Sequence, residues 1–484
     1  MTNSINEIAG AELLLLIGTN TTEAHPVIGY KMKQAARRGA KLIVVDPRRI
    51  ELAEEADYWL RVKPGTDIPL LNGLMHIIIK EGLHNQEFIE ERTDNFEALQ
   101  ETVEKYTPEL VSEMTGIAVD DLYAVARLYA TTDKAMTFYT LGITEHICGT
   151  NNVMSIANLA MLTGHLGRPH TGVNPIRGQN NVQGACDMGA LPNVFSGYQR
   201  VTDPGAHEKF QKAWGVPLSD KLGITIPEMF DKANHGEIKA MYILGENPVL
   251  TDPNSNHIRS GLANLEFLVV HELFLTETAE YADVVLPAAS FAETDGTFTS
   301  TERRVQRVRQ AINPLPGQTN WQTIMELSNR MGYAMSYPDP QAVWDEMASL
   351  TPSMAGINYS RMEEKGMQWP CPNPDHPGTP YLHSGSFSRG KGLFQSIDHI
   401  PPGESPDEEY PFLLSTGRIL YHYNVTTPYS PGIQSIWSEE MAEINPDDAD
   451  RMGLKTGEKV RVASRRGEIT TKVQVTDRVP PGLI

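Results

Sequence analysis

Residues 11–20 read AELLLLIGTN. The largely apolar run Ala11–Ile17 (AELLLLI) stops at Gly18-Thr19-Asn20. Such a run reads as a strand buried on both faces, as in a parallel sheet, ending in a tight turn. Pro26 to Arg38 then has helical spacing with basic residues at its end, and Gly39 supplies the stop. A second apolar strand, Lys41–Val45, ends at Asp46-Pro47-Arg48-Arg49. Strand, glycine turn, helix and a strand closed by a carboxylate form a βαβ unit of the nucleotide-binding kind, although GxGxxG is absent. Taken alone, the segment suits an α/β unit without a ligand equally well.

A related pattern recurs downstream. Ala240–Leu244 (AMYIL) reads as a buried strand ending at Gly245-Glu246-Asn247-Pro248, and Glu266–Val270 is a strand ending at His271-Glu272. The segments that follow also correspond: Ala53–Asp67 (AEEADYWLRVKPGTD) and Ala279–Asp295 (AEYADVVLPAASFAETD). Two diverged copies of one unit predict a pseudo-twofold pair of nucleotide sites, each using a strand-end turn for phosphates and a carboxylate for a ribose or a guanine edge.

Between the copies, Thr163–Gly189 reads TGHLGRPHTGVNPIRGQNNVQGACDMG, with six glycines and many amides, a composition unsuited to a hydrophobic core. Glycine lets backbone approach a bulky ligand, and Asn and Gln supply paired donors and acceptors. Arg177 is the only cation from Thr171 to Gly189. Its guanidinium suits a small carboxylate or another oxyanion; the structural alternative is a helix cap or a pairing with Asp187.

From Ile312 to Gln395 the pattern is mixed, with a helix near Trp321–Met331 and a loop-like stretch at Trp369–Gly390, where His376 and His383 lack metal-ligand spacing. Pro401–Glu409 reads as a linker. Short strands at Pro411–Ser415, Lys459–Ser464 and Glu468–Thr476 then suggest a small β-barrel. With 484 residues, about three domains are expected, drawn here as 1–179, 180–405 and 409–484. The fold class is α/β: two related doubly wound halves and an incomplete C-terminal β-barrel.

The net charge of −20 argues against nucleic-acid binding, and no apolar run approaches membrane-spanning length. Cys148, Cys186 and Cys371 form no CxxC pair, so neither a zinc ribbon nor a cysteine-ligated iron–sulfur cluster is encoded here, and none of the three is assigned as a metal ligand. Met1–Gly10 is polar and acidic rather than a signal peptide, which suggests the cytoplasm. Both ends read as cut from something longer.

The segment Val173–Tyr198, VNPIRGQNNVQGACDMGALPNVFSGY, closely resembles the catalytic subunit of molybdenum- or tungsten-dependent formate dehydrogenases in the molybdopterin oxidoreductase superfamily. Glu23-Ala24-His25-Pro26, Leu159–Gly167, Ala282–Pro287, Gly296–Gln306 and Ser415–Arg418 agree with it. The resemblance implies two molybdopterin guanine dinucleotides holding one molybdenum or tungsten between the halves. One dinucleotide would contact Gly18, Asn20, Asp46, Arg48, Gly65 and Asp67. The other would contact Gly245, Glu246, Asn247, His271 and Glu272, with Asn320 a weaker candidate. Thr416, Gly417, Arg418 and His422 would reach pterin and phosphates. Leu141, Gly142, Ile143, Thr144 and Glu145 would line the metal pocket. Arg177 would be the catalytic arginine that orients formate, with Gln179 beside it against the pterin. Formate would be oxidised to carbon dioxide, or the reverse, with electrons leaving through iron–sulfur, flavin or hydrogenase partner subunits.

The departures are specific. The family's N-terminal 4Fe–4S module and the cysteine or selenocysteine ligand of the metal are expected before the first residue, so the chain reads as a fragment that is inactive alone. Tyr423–Pro431 (YNVTTPYSP) also departs from the family's pattern. Two alternatives are another molybdopterin oxyanion reductase and a metal-free structural subunit of an electron-transfer complex.

Overall fold

In the computed structural model, which describes residues 1–424 and 427–484, Leu13–Ile17 (β1) is buried along its whole length. Its residues divide by the strand's period of two. Leu13, Leu15 and Ile17 enter one core, while Leu14 and Leu16 enter another on the opposite face. The second core takes Ile28, Met32 and Ala35 from helix Pro26–Arg37 (α1), a stripe at helical spacing. The expected strand began at Ala11. It begins two residues later because the amides of Glu12 and Leu13 share the carbonyl of Lys134.

Lys41–Val45 (β2) pairs parallel with β1 in the register Leu13↔Lys41, and Tyr58–Leu60 (β3) extends the sheet outward. Asp67–Lys80 (α2) is buried from Asp67 to Ile78. It packs in the first core with Val119–Thr131 (α3) and Gly149–Leu162 (α4). Ala135–Tyr139 (β4) pairs with the other edge of β1, and Gly172–Pro175 (β5) pairs with β4. The sheet order is therefore β3-β2-β1-β4-β5, all parallel, and helices cover both faces.

Val182–Asp187 (α5) leads out of this half. In the second half Ile226–Asn234 (α6), Ala240–Leu244 (β6), Ser255–Ala263 (α7), Phe267–Glu272 (β7) and Val284–Pro287 (β8) form a parallel sheet ordered β8-β7-β6, matching β3-β2-β1. The repeat extends to single hydrogen bonds. Gly18 N–H donates to Val45 O (2.9 Å), and Gly245 N–H donates to His271 O (3.0 Å). Leu42 N–H donates to Asp57 Oδ2 (2.9 Å), and Leu268 N–H to Asp283 Oδ2 (2.7 Å). Gly18 and Gly245 both have positive φ, +56° and +65°, which favours glycine.

The expectation that Ala240–Leu244 is buried needs correction. Phe230, Ile258 and Leu262 from α6 and α7 cover one face, so Met241 and Ile243 are half-buried while Ala240, Tyr242 and Leu244 are exposed. Gly296–Thr299 (β9), Arg304–Val308 (β10) and Met367–Gln368 (β11) form an antiparallel sheet, and Asn320–Arg330 (α8) is the expected helix. The chain then returns to the first half. Phe394 is fully buried there, and Asn72 Nδ2 donates to Ile397 O at 2.8 Å.

At the C-terminus, Met441–Ile444 (β12), Pro446–Met452 (α9), Lys459–Ser464 (β13) and Gly467–Val475 (β14) give a sheet ordered β12-β14-β13. The two-residue turn Arg465-Arg466 closes the expected hairpin. The expected strand at Pro411–Ser415 is reduced to a bridge between Leu413 and Leu483, and the described residues form a small open sheet, as an incomplete barrel would. This part docks on the first half through charge: Glu443 holds Arg48 and Arg478, each at 3.0 Å, and Arg478 also reaches Glu23 at 2.9 Å.

Arg303, 2% exposed, ties the amino-terminal segment to β9–β11. Its guanidinium donates to the carbonyls of Met1 (2.8 Å), Thr2 (3.1 Å), Thr379 (3.0 Å) and Pro380 (3.4 Å), and also to that of Trp369. An ammonium cannot span five carbonyls, and each charge-assisted hydrogen bond is worth about 1.5–3 kcal/mol. Arg303→Lys should therefore cost more than about 3 kcal/mol and lower the thermal midpoint in calorimetry. An unchanged midpoint would show that the clamp is dispensable.

Candidate functional site

Because β2 and β3 lie on one side of β1 and β4 and β5 on the other, the chain crosses over in opposite directions at β1 and β4. A crevice opens beyond the carboxyl ends of these strands, where ligands bind in open α/β sheets. Its wall is backbone against backbone. Gly142 N–H and Thr140 Oγ1 both donate to Gly18 O, at 3.2 and 2.9 Å. A Cβ on Gly18 would lie 2.7 Å from the Gly142 carbonyl carbon, and one on Gly142 would lie 2.7 Å from Gly18 Cα. In the turn Leu141–Thr144, Ile143 is buried, whereas Leu141, Gly142 and Thr144, with Glu145 next along, are exposed.

The first cradle is rich in polar atoms that lack partners within the protein. Thr19 Oγ1, Asn20 Nδ2 and His25 Nδ1 are buried and unbonded. Asp46 closes β2, accepting from Arg48 N–H at 2.9 Å, and Asp67 opens α2. Burial pushes each carboxyl up to about 6; nearby Asp67 raises Asp46 further, while His146, 4.0 Å from Asp67, opposes the rise. Arg48 is spent on Glu443 and does not pair with either. Two buried acceptors beside an unbonded amide fit a ligand edge rich in N–H donors, such as guanine, and ribose hydroxyls. Gly65, at φ +81°, faces the Pro402 ring.

The second cradle repeats the turn with different side-chain bookkeeping. A Cβ on Gly245 would meet nothing within 4 Å, so the turn faces open space. Asn247 is tied on both ends, its Nδ2 to Glu277 (2.9 Å) and its Oδ1 from Thr278 (2.7 Å), unlike Asn20. His271 is fully buried, with Nδ1 on Tyr242 OH at 2.7 Å and Nε2 unbonded, and burial lowers its pKa. Glu272 is raised by burial and by Glu246, whose carboxylate accepts from Thr251 at 2.7 Å. Asn320 clamps the Ala289 backbone with both amide ends (2.7 and 3.2 Å), so the structure gives it a structural task.

Arg177 follows β5 and is half-buried. Its N–H donates to Thr301 Oγ1 and its carbonyl accepts from His25 Nε2, both at 3.0 Å. Nη1 donates to Cys186 Sγ at 3.2 Å, and no carboxylate forms an ion pair with it among the described residues. The alternative pairing with Asp187 is not made as a contact. That fully buried carboxylate accepts instead from Gln183 (2.7 Å), Tyr198 OH (2.9 Å) and Trp369 Nε1 (2.7 Å). Gln179 is exposed in the loop after Arg177, and Asn180 N–H donates to Tyr423 OH at 2.5 Å.

From the C-terminal part, Gly417 packs on Arg48: a Cβ there would lie 1.8 Å from Nη1. Arg418 donates to His422 O (3.0 Å) and Asn424 Oδ1 (2.9 Å) and lies close enough to His25 to lower its pKa, behind burial as the larger cause. Both ring nitrogens of His422 are engaged, with Trp437 O at 2.8 Å and Thr427 Oγ1 at 3.2 Å, and Thr416 is exposed. His25 and Cys186 are the site residues that sequence reading leaves without a role. Their signals, a His-Pro helix start and a cysteine inside the glycine-rich run, acquire meaning only in three dimensions. Of Tyr423–Pro431, Val425 and Thr426 lie outside the described residues.

The chain matches known proteins along its length. Residues 1–330 match the molybdopterin oxidoreductase family, and residues 412–484 match the molydopterin dinucleotide binding domain. The chain belongs to the molybdopterin oxidoreductase family, whose cofactor is a molybdopterin dinucleotide. Over its whole length it is 44% identical to F420-dependent formate dehydrogenase 1 subunit alpha of Methanococcus maripaludis, spanning 72% of that protein. It is 43% identical to formate dehydrogenase H of Escherichia coli, spanning 69% of it. Acetylene hydratase from Pelobacter acetylenicus shares the fold, with a TM-score of 0.77 across this whole chain and 72% of that one at 22% identity. Among the described residues, no helix is long and apolar enough to cross a membrane, and no cluster of His, Cys, Asp and Glu could hold a metal ion.

The buried carboxylates give a test with a definite sign. Asp46 has a pKa of about 6 in the fold against an ordinary 3.8, so the folded chain binds the extra proton and stability falls as pH rises through this window. Asp46→Asn removes that penalty, roughly 3 kcal/mol once the pH is well above 6. In the cofactor-free chain we expect Asp46→Asn to raise the thermal midpoint at pH 8 and to raise it only about a third as far at pH 4.5. Equal destabilisation at both pH values would contradict the assignment.

Proposed function

We propose that this chain is the cofactor- and substrate-binding part of a formate dehydrogenase catalytic subunit, interconverting formate and carbon dioxide. The observation that carries the reading is Arg177: a half-buried guanidinium in the glycine-rich segment that joins the two α/β halves, its Nη1 on the Cys186 sulfur and paired with no carboxylate among the described residues. Identity of 43–46% over the whole chain to formate dehydrogenase subunits supports it.

In this reading 1–179 and 180–405 each hold one molybdopterin guanine dinucleotide, and 409–484 covers them. Gly18 and Gly245 admit phosphates close to backbone. Asn20, Asp46, Arg48, Gly65 and Asp67 hold the first nucleotide, and Glu246, Asn247, His271 and Glu272 hold the second. Leu141, Gly142, Thr144 and Glu145 border the space between them, Gln179 lies against a pterin, and Thr416, Gly417, Arg418 and His422 close over it. With molybdenum or tungsten, the bound cofactor supplies two-electron redox chemistry. Arg177 binds and orients the formate carboxylate through paired N–H donors, so the C–H bond is presented in one direction. Electrons would leave through an iron–sulfur cluster and partner subunits, and the expected location is the cytoplasm.

Losing one preorganised charged donor typically costs about 10²–10³ in rate. In a cofactor-loaded holoenzyme, Arg177→Ala should lower kcat/KM for formate by about that factor while pterin content stays unchanged. Arg177→Lys should recover only part, because an ammonium lacks the two-pronged geometry. Normal formate turnover by Arg177→Ala would overturn the reading.

A further inference from the structure

The contact between Arg177 and Cys186 bears on how the arginine is kept ready. Its backbone is pinned on both sides, by Thr301 and by His25. Its side chain has a single hydrogen bond among the described residues, from Nη1 to Cys186 Sγ at 3.2 Å. Cys186 is itself held from both ends of α5. Ahead of the helix, Asn181 Oδ1 accepts from Thr299 N–H at 2.9 Å. After Cys186, Asp187 is locked by Gln183, Tyr198 and Trp369. The sulfur is therefore a fixed point against which the guanidinium leans.

The chemistry of that point is informative. A cysteine sulfur is a weak acceptor, so it orients a guanidinium while leaving the other N–H donors free. A carboxylate in the same place would form the stronger charge-assisted pair and compete with an anionic substrate. Asp187, the one carboxylate of this helix, is turned to three neutral donors instead. The Nε and Nη2 edge is thus left for a planar carboxylate.

We propose that Cys186 is a positioning residue for Arg177, fixing one edge of the guanidinium so that the opposite edge receives the one-carbon acid. The proposal rests on the reading of Arg177 as the partner of formate. Cys186 touches the arginine and acts through it.

In the holoenzyme, Cys186→Ala should raise the KM for formate about three- to tenfold with kcat within about twofold, because ground-state and transition-state binding weaken together. Cys186→Ser, which keeps an acceptor, should stay within about twofold of wild type, whereas Cys186→Asp should raise KM more than about thirtyfold by pairing with Arg177. All three should keep the wild-type thermal midpoint and pterin content. A readout independent of turnover is available because Cys186 is half-exposed while Cys148 and Cys371 are buried. Saturating formate should slow iodoacetamide labelling of Cys186, followed by peptide mass spectrometry, in wild type but not in Arg177→Ala. A wild-type KM in Cys186→Ala, or labelling indifferent to formate in the wild-type enzyme, would overturn the proposal. If Arg177→Ala is inactive in either case, only the role of Cys186 fails; if Arg177→Ala turns over formate normally, the reading beneath it fails.

Discussion

The site depends on the close approach of Gly18 to Gly142. Two neighbouring parallel strands end in turns that touch through main chain alone, and a Cβ on either glycine would sit 2.7 Å from the other's backbone. That contact fixes the spacing of the two strand ends where the chain reverses direction, so the crevice is set by the sheet rather than by flexible loops. Asn20, Asp46 and the 141–145 turn are then carried to its rim by the strands they follow. Nearby, Thr19 Oγ1, Asn20 Nδ2 and His25 Nδ1 are buried without partners in the protein, a cost that a bound ligand would offset.

The same device occurs twice, with unequal consequences. Gly18 is packed against a neighbouring turn, and Gly245 faces open space. Asn20 leaves an amide nitrogen unbonded, while Asn247 is tied to Glu277 and Thr278. The first sheet has five strands with helices on both faces, whereas the second has three with one face open. The repeat therefore keeps the main-chain turn and lets the side chains diverge. Arg177 follows the last strand of the first sheet, contacts Thr301 and His25, and its chain continues into Cys186 and Asp187.

Much of this was legible in the sequence. The apolar runs at 13–17 and 41–45 encode strands buried on both faces, and the Asp57 and Asp283 parallels follow from the matched segments. Arg177 stood out as the only cation in an amide- and glycine-rich stretch. What could not be read depends on distant contacts. The strand at Met441–Ile444 is too short for periodicity to mark, and nothing local announces that Phe394 enters the first core. The exposed face of Ala240–Leu244 reflects where helices fail to cover a sheet, which an apolar run does not encode. His25 and Cys186 gain their tasks from partners 152 and 9 residues away along the chain.

The central claim is that two related cradles each hold a guanine dinucleotide around one arginine-bearing cleft. It is tested most directly by counting nucleotides. The protein would be purified from a host that makes the cofactor, and its bound dinucleotide hydrolysed to release guanosine monophosphate for quantitation against protein. The account predicts a ratio approaching two per chain, falling toward one when Gly245 is replaced by a bulky residue. A wild-type ratio of one or zero would contradict it.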